Sequence, residues 1–367
     1  MKKLILIATL AMLCVNAHSQ SRTVVYGILE DGVDFNSNVQ GSHLVQLLSG
    51  VTAASKWGIR GTEDMGGGLT TIFQIAGTFD LNSGALFGNR IFSSNDFVGL
   101  RSNRLGTLTL GRQWDAVVDY IGPFTLNGNV GGAYLAHPND IDNTDQGFHT
   151  SNAIKYSSPM IAGFTFEGLY AFGNTPGQFS QNASFSAGIS YAFESFSAGI
   201  AYLRVNSPET ATQGYQSGGG YTNAIYGSYL SAARAQNIFG VGASYKPFSM
   251  LTLLADFTNT TFQQGSAGHD ATFQNYELSA LVMPAPDITI GAGYTLTKGR
   301  DHATDASPTY DQYNLTAEYA LSKRTSLYVI GAFQRARGDA PVAQIAVFNP
   351  SSNQKQAVGR VGIRSLF

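Results

Sequence analysis

The chain has almost no cysteine. Its single thiol, Cys14, lies within the first twenty residues, so a disulfide framework and a cysteine-bound metal are excluded for everything after them. Charge is also scarce. Asp, Glu, Lys and Arg make up 13% of the residues, against about a quarter in ordinary soluble domains. The charge is balanced, 22 basic against 24 acidic side chains, which offers no electrostatic footing for nucleic acid. Beyond the N-terminal segment no apolar run approaches the ~18 residues of a membrane-spanning helix. Catalytic signatures are absent too. The histidines His43, His137, His149, His269 and His302 stand in no HExxH motif, and no serine stands in GxSxG. No enzyme and no cofactor are expected.

The segment MKKLILIATLAMLCVNAHSQ has two lysines, an apolar run from Leu4 to Val15, and the small-x-small triplet Ala17-His18-Ser19. It predicts a secretory leader over 1–19 and a mature domain over 20–367. Loss of Lys2 and Lys3 would take the net charge from −2 to −4.

What the mature chain does have is glycine, 42 in the full sequence, and aromatics, with 18 Tyr and 23 Phe. They recur in strict alternation. In TFEGLYAF, Phe166, Gly168, Tyr170 and Phe172 fall on one parity and Thr165, Glu167, Leu169 and Ala171 on the other. FSAGISYAF, FSAGIAYLR, ITIGAGYTLT and QYNLTAEYAL behave alike. Alternate side chains of a strand point to opposite faces. One face is therefore apolar with aromatics near its ends, and the other is mostly small and polar. A soluble sandwich would fill its apolar face with Val, Ile and Leu; a membrane barrel turns an aromatic-edged apolar face to lipid. The connections also alternate. Short turns at 63–68, 102–106, 159–163, 193–196, 246–249, 285–287 and 322–324 separate longer polar stretches near 36–52, 81–89, 113–150, 174–182, 207–234, 264–270, 301–308 and 341–353. The expected fold is all-β, a transmembrane antiparallel β-barrel of about sixteen strands with short turns at one end and long loops at the other.

Several segments carry a resemblance: SRTVVYGILEDGVDF, SKWGIRGTEDMGGGLTTIFQ, NDFVGLRSNRLGTLTLGRQWD, NAIKYSSPMIAGFTFEGLYAFG and the terminal GRVGIRSLF. Together they resemble the general porins of the Gram-negative outer membrane, of β-proteobacterial type, over the whole mature chain. The resemblance implies a homotrimer in outer-membrane lipid and lipopolysaccharide. It implies a third external loop, here 113–150, folded inward as a constriction. It implies passive diffusion of ions and small hydrophilic solutes. The terminal aromatic, Phe367, resembles the signal read by the barrel-assembly machinery. Many members carry Pro-Phe-Gly in the loop; here Thr125 follows Pro123-Phe124. The alternatives are a substrate-selective channel, with Tyr120, Phe124 and Tyr134 as an aromatic slide, and a structural or adhesive barrel with a closed lumen. Small residues on the inward faces favour an open one.

Strand parity supplies candidate pore residues. Trp57 and Ile59 face outward, so Lys56 and Arg60 face inward; Arg101, Arg360, Arg364, Lys155 and Lys246 follow the same logic, and Arg112 turns inward at its strand end. The basic wall is accordingly assigned to Lys56, Arg60, Arg101, Arg112 and Arg360. The inward acids are Glu167, Asp256, Glu277 and Glu318. The facing loop carboxylates are Asp115, Asp119, Asp140, Asp142 and Asp145. Opposed charges at a narrow point order ions and dipolar solutes, and the two sets leave ion selectivity open. DIDNTDQG starts like an EF-hand loop, but Asp145 stands where glycine is needed and Ser151 where glutamate is needed, so no metal site is assigned.

Overall fold

A computed structural model describes residues 21–211, 223–231, 233–264 and 268–367. The expected leader lies outside the described residues. Seventeen strand runs form a single antiparallel sheet. Two of them, Ser42–Ser49 and Lys56–Gly66, lie end to end against the same long strand Arg22–Val39, so the sheet has sixteen staves. The last strand, Lys355–Leu366, pairs with Arg22–Val39 from Ile28↔Leu366 to Asn36↔Val358. The sheet thus closes on itself and leaves no free edge strand, as lipid requires. Among the described residues no helix is long and apolar enough to cross a membrane, which says nothing of crossing by strands.

The cross-strand register gives each face a continuous identity. Val25, Phe73, Val98, Tyr156, Leu278, Leu315 and Val361 lie on the outer face, where Leu278 is 67% and Val361 62% exposed. Thr258, Asn275, Thr297, Gln312, Gln334 and Gln356 lie inside and are buried. A protein that puts leucine out and glutamine in is folded for a hydrocarbon solvent.

The seven short turns stand at one end, as at Gly67–Gly68 and Pro286–Asp287. The stretch 36–52 departs from the sequence expectation. It holds no long loop: strands run through it and reverse at Gln40 and Gly41, both with positive φ. The polar Asn36, Ser37 and Asn38 hide the alternation, which resumes as Leu44, Gln46 and Leu48 against Val45 and Leu47.

The barrel seam carries a buried ion cluster. The Arg360 guanidinium sits 2.7 Å from Glu30 and 2.8 Å from Asp34, all three side chains 0% exposed. It also donates to the carbonyls of Gly32 and Leu48 and to the Tyr328 hydroxyl. Nearby, the Phe367 and Gly27 backbones exchange hydrogen bonds at 3.0 and 3.1 Å. The Phe367 ring covers Gly27, where any Cβ would fall 2.2 Å from it.

Arg360→Met would leave Glu30 and Asp34 buried without a counter-charge. It is expected to destabilise the folded barrel by about 3–5 kcal/mol, read as a lower urea midpoint for loss of the fast-migrating unheated band on a denaturing gel. Adding Glu30→Gln and Asp34→Asn should recover most of that loss. Equal losses in the single and triple variants would show that the cluster is not electrostatically coupled.

Candidate pore site

The long connection between Gly106–Gln113 and Thr150–Ser157 folds into the barrel. It makes short helical turns at Ala116–Tyr120, Gly122–Phe124, Leu126–Val130, Ala133–Leu135 and Pro138–Asp140. Local chemistry starts each of the two α-helical turns. The Asp115 carboxylate accepts from the Val117 and Val118 backbone N–H groups, and the Thr125 hydroxyl accepts from that of Gly128. Both are side-chain N-caps, and in Thr125 the residue that replaces the family's glycine supplies one of them.

An apolar side of the loop packs on an apolar arc of the inner wall. Tyr120, Ile121 and Phe148 join Leu203, Ile238 and Phe273; Leu126, Tyr134 and Leu135 join Leu254, Leu281 and Ile330. The wall makes room with glycine. A Cβ at Gly242 would lie 2.6 Å from the Phe124 ring, and one at Gly240 2.8 Å from Ile121. These inward glycines read in the sequence as an open lumen; here they are the seat of the loop. The aromatic slide of the substrate-selective alternative is not available, because Tyr120, Phe124 and Tyr134 are 8%, 5% and 0% exposed.

Most of the five loop carboxylates are occupied by the loop's own structure. Asp115 caps a helical turn and accepts from the Asn143 amide at 2.7 Å; burial pushes its carboxyl up to about 6. Asp140 accepts from the backbones of Asp145 and Gly147. Asp142 meets His137 at 2.6 Å and accepts from Thr144, Thr258 and Asn275. Burial opposes its charge, but His137 and the hydroxyl donors draw it down to about 2. Asp119 pairs with Lys155, which also lies 3.1 Å from Glu167. The carboxylates expected to oppose the basic wall are therefore, with one exception, anchors. The exception is Asp145, partly buried beside Asn127 and facing open space.

That space is a cavity of about 540 Å³ between the loop and the opposite arc of wall. Its charged border is Lys56, Arg90, Arg112, Arg364 and Asp145. Arg112 reaches it because the strand shifts register after Gly111, whose φ is 146°. The Arg112 guanidinium then donates to the carbonyls of Ser93 and His149 and to the Ser151 hydroxyl. His149 is half-buried, and its imidazole is held well below its usual pKa by desolvation and by the nearby Arg112 and Lys56; its neutral Nε2 accepts from the Trp114 indole at 2.7 Å. Arg364 is paired with Glu318 at 2.6 Å.

The assigned basic residues thus separate into three places. Lys56 and Arg112 border the cavity. Arg60 and Arg101 share the lumen face but line a smaller recess with Arg22 and Gln74 towards the short-turn end, where Arg60 lies over the Tyr26 ring. Parity fixes a face but not a height, and four residues of strand separate Arg60 from Lys56 by about 13 Å. Arg360 is buried in the seam and borders neither space. Arg90, in the connection 79–95, was not among the sequence candidates, because a loop residue has no parity to read.

A family model for Gram-negative porins matches residues 6–339. The chain is a Gram-negative porin. It is 25% identical over 369 residues to an outer membrane porin protein of Bordetella pertussis, covering 91% of this chain and 94% of that one. It is 29% identical over 375 residues to the major outer membrane protein P.IB of Neisseria meningitidis serogroup B, covering 92% and 95%. Among solved structures, an anion-selective porin from Comamonas acidovorans superposes with a TM-score of 0.76 at 23% identity, covering 95% of this chain and all of that one. The porin is an outer-membrane channel for passive diffusion, as the polar lumen and apolar exterior of its barrel require.

Gly242→Val is expected to leave the barrel folded but to unseat Phe124 and with it the loop. Limited proteolysis of the folded porin should then cut within 114–149, where the wild type resists. Unchanged resistance in Gly242→Val would show that the glycine seat does not hold the loop.

Proposed function

We propose that this porin conducts anions in preference to cations, with the loop 113–150 as its constriction. The carrying observation is the border of the cavity: among the described residues it holds Lys56, Arg90 and Arg112, with Arg364 paired to Glu318, against the single carboxylate Asp145. Clustered like charge along a low-dielectric wall raises the local concentration of the opposite ion. The acids that would balance it, Asp115, Asp140 and Asp142, are buried and engaged by the loop itself. The anion-selective porin of similar fold supports the reading. The pathway takes small hydrophilic solutes and involves no catalytic step.

We read the assembly as a homotrimer inserted by the barrel-assembly machinery through its terminal strand and Phe367, in contact with lipid and lipopolysaccharide. The family resemblance supports this, as does the broad apolar exterior. Neither alternative use of the barrel gains support: the candidate slide aromatics are buried, and the cavity leaves the lumen room for water.

Planar-bilayer recording under a salt gradient tests the selectivity. The reversal potential should carry the sign of anion flow, and Lys56→Gln with Arg112→Gln should move it towards or past zero. A cation-selective wild type would overturn the proposal.

Burial, opposed by the Asn127 hydrogen bond and reinforced by Asp142, pushes the Asp145 carboxyl up to about 7. Protonation removes the one negative charge at the border, so anion preference should rise as pH falls through about 7. In Asp145→Asn that step should vanish. A step of the same size in Asp145→Asn would assign it to another group.

A further inference from the structure

Where the loop meets the wall, a second set of ionisable groups lies apart from the cavity. His137 comes from the loop. Asp256 and Glu277 come from neighbouring strands, directly opposite each other in the ladder. All three side chains are shut away from solvent, at 0%, 0% and 1% exposure.

The imidazole is oriented from behind. Its Nδ1 lies 2.6 Å from Asp142 Oδ2, and that carboxylate is fixed in turn by Thr144, Thr258 and Asn275. A carboxylate that accepts a hydrogen bond from Nδ1–H holds the ring in the orientation in which Nε2, once its own proton is displaced, presents its lone pair. Nε2 points between the two wall acids, 3.2 Å from Glu277 Oε2 and 3.6 Å from Asp256 Oδ2, yet it forms a hydrogen bond with neither. Both oxygens of Asp256 and Oε2 of Glu277 are also without a hydrogen-bond partner. The other oxygen of Glu277 is committed, accepting from the Leu126 backbone and the Ser279 hydroxyl, each at 2.6 Å. Among the described residues no lysine or arginine pairs with either acid.

Two carboxylates side by side in a dry interior repel each other, and unpaired oxygens there are costly to bury. A protonated His137 supplies one positive charge between them, against these two carboxylates and Asp142 behind the ring; a divalent ion in place of the Nε2 proton supplies two. The vacant atoms are one imidazole nitrogen and carboxylate oxygens. Bonds of about 2.0–2.1 Å to a tetrahedral ion set neighbouring ligand atoms roughly 3.3 Å apart, between the two distances found. Calcium and magnesium favour all-oxygen shells, whereas an imidazole suits zinc and its transition-metal neighbours.

We propose that His137, Asp256 and Glu277 are ligands of a divalent transition-metal ion, zinc in the first instance, with Asp142 as the outer carboxylate that orients the histidine. The ion clamps the loop to the wall at the end of its path, beyond the apolar seat of Phe124 and Ile121. The inference does not depend on which ions the channel prefers. The sequence assigned no metal here, because the three ligands are far apart along the chain and share no spacing motif.

The test uses the full-length folded porin in detergent, stripped with a chelator, equilibrated with zinc and passed through a gel-filtration column. One zinc ion per chain should be retained. X-ray absorption at the zinc edge should show a single imidazole among oxygen ligands. Asp256→Asn, checked for folding by its unheated gel mobility, should weaken zinc binding by about tenfold or more. The temperature at which the folded band is lost should rise with zinc in the wild type but not in this variant. A folded wild type that retains no zinc overturns the site. So does a shell of several imidazoles, which would place the metal on other histidines, or retention by Asp256→Asn equal to the wild type. Should Asp256→Asn fail to fold, the stoichiometry and absorption spectrum of the wild type decide alone.

Discussion

Everything in this molecule depends on the closure of one sheet. In hydrocarbon an unpaired N–H or C=O costs several kcal/mol, so a strand can face lipid only if both neighbours are strands. The pairing of Arg22–Val39 with Lys355–Leu366 supplies the last neighbour. The Arg360 cluster stands on the inner side of that joint, and the Phe367–Gly27 backbone pair finishes it. Once the ring is closed, the outer face needs only to be apolar. The inner face is then free to carry both a packed core and a water-filled passage.

The inner face divides that labour by arc. On one arc glycines and large apolar residues receive the loop, and Thr258, Asn275 and Asp142 knit polar contacts behind it. On the other arc the wall stays open and basic. The loop serves both sides: its apolar surface is a core element and its opposite surface, with Asp145, borders the cavity. A single side chain can belong to either regime, as Asp119 shows by pairing with Lys155 at the loop's root.

Much of this was legible in the sequence, because alternation is a backbone property. Parity places Lys56, Arg60, Arg101, Lys155, Glu167 and Arg360 on one face, and the cross-strand register puts them all on the lumen side. The rest was not legible, for physical reasons. Height along a strand depends on tilt and register, which separates Arg60 and Arg101 from Lys56. Neutralisation depends on partners remote in sequence, so Arg360 looks free until Glu30, 330 positions away, is seen beside it. An inward glycine marks either vacancy or close approach, and only the loop's path tells which holds at Gly240 and Gly242. Arg90 and His137 lie in loops, where no periodicity points anywhere.

The loop's one-sided seat has a consequence for how this porin can change over time. In the proposed pathway, permeation is set by the arc from Leu48 to Ser94 and its neighbours, while the loop packs on the arc that carries Leu203, Ile238 and Leu254. Substitutions on the first arc can re-tune traffic without endangering the fold, and substitutions on the second are screened for packing. The channel can therefore diverge rapidly in what it admits along one side of its circumference, while the other side drifts only as slowly as a soluble protein's core.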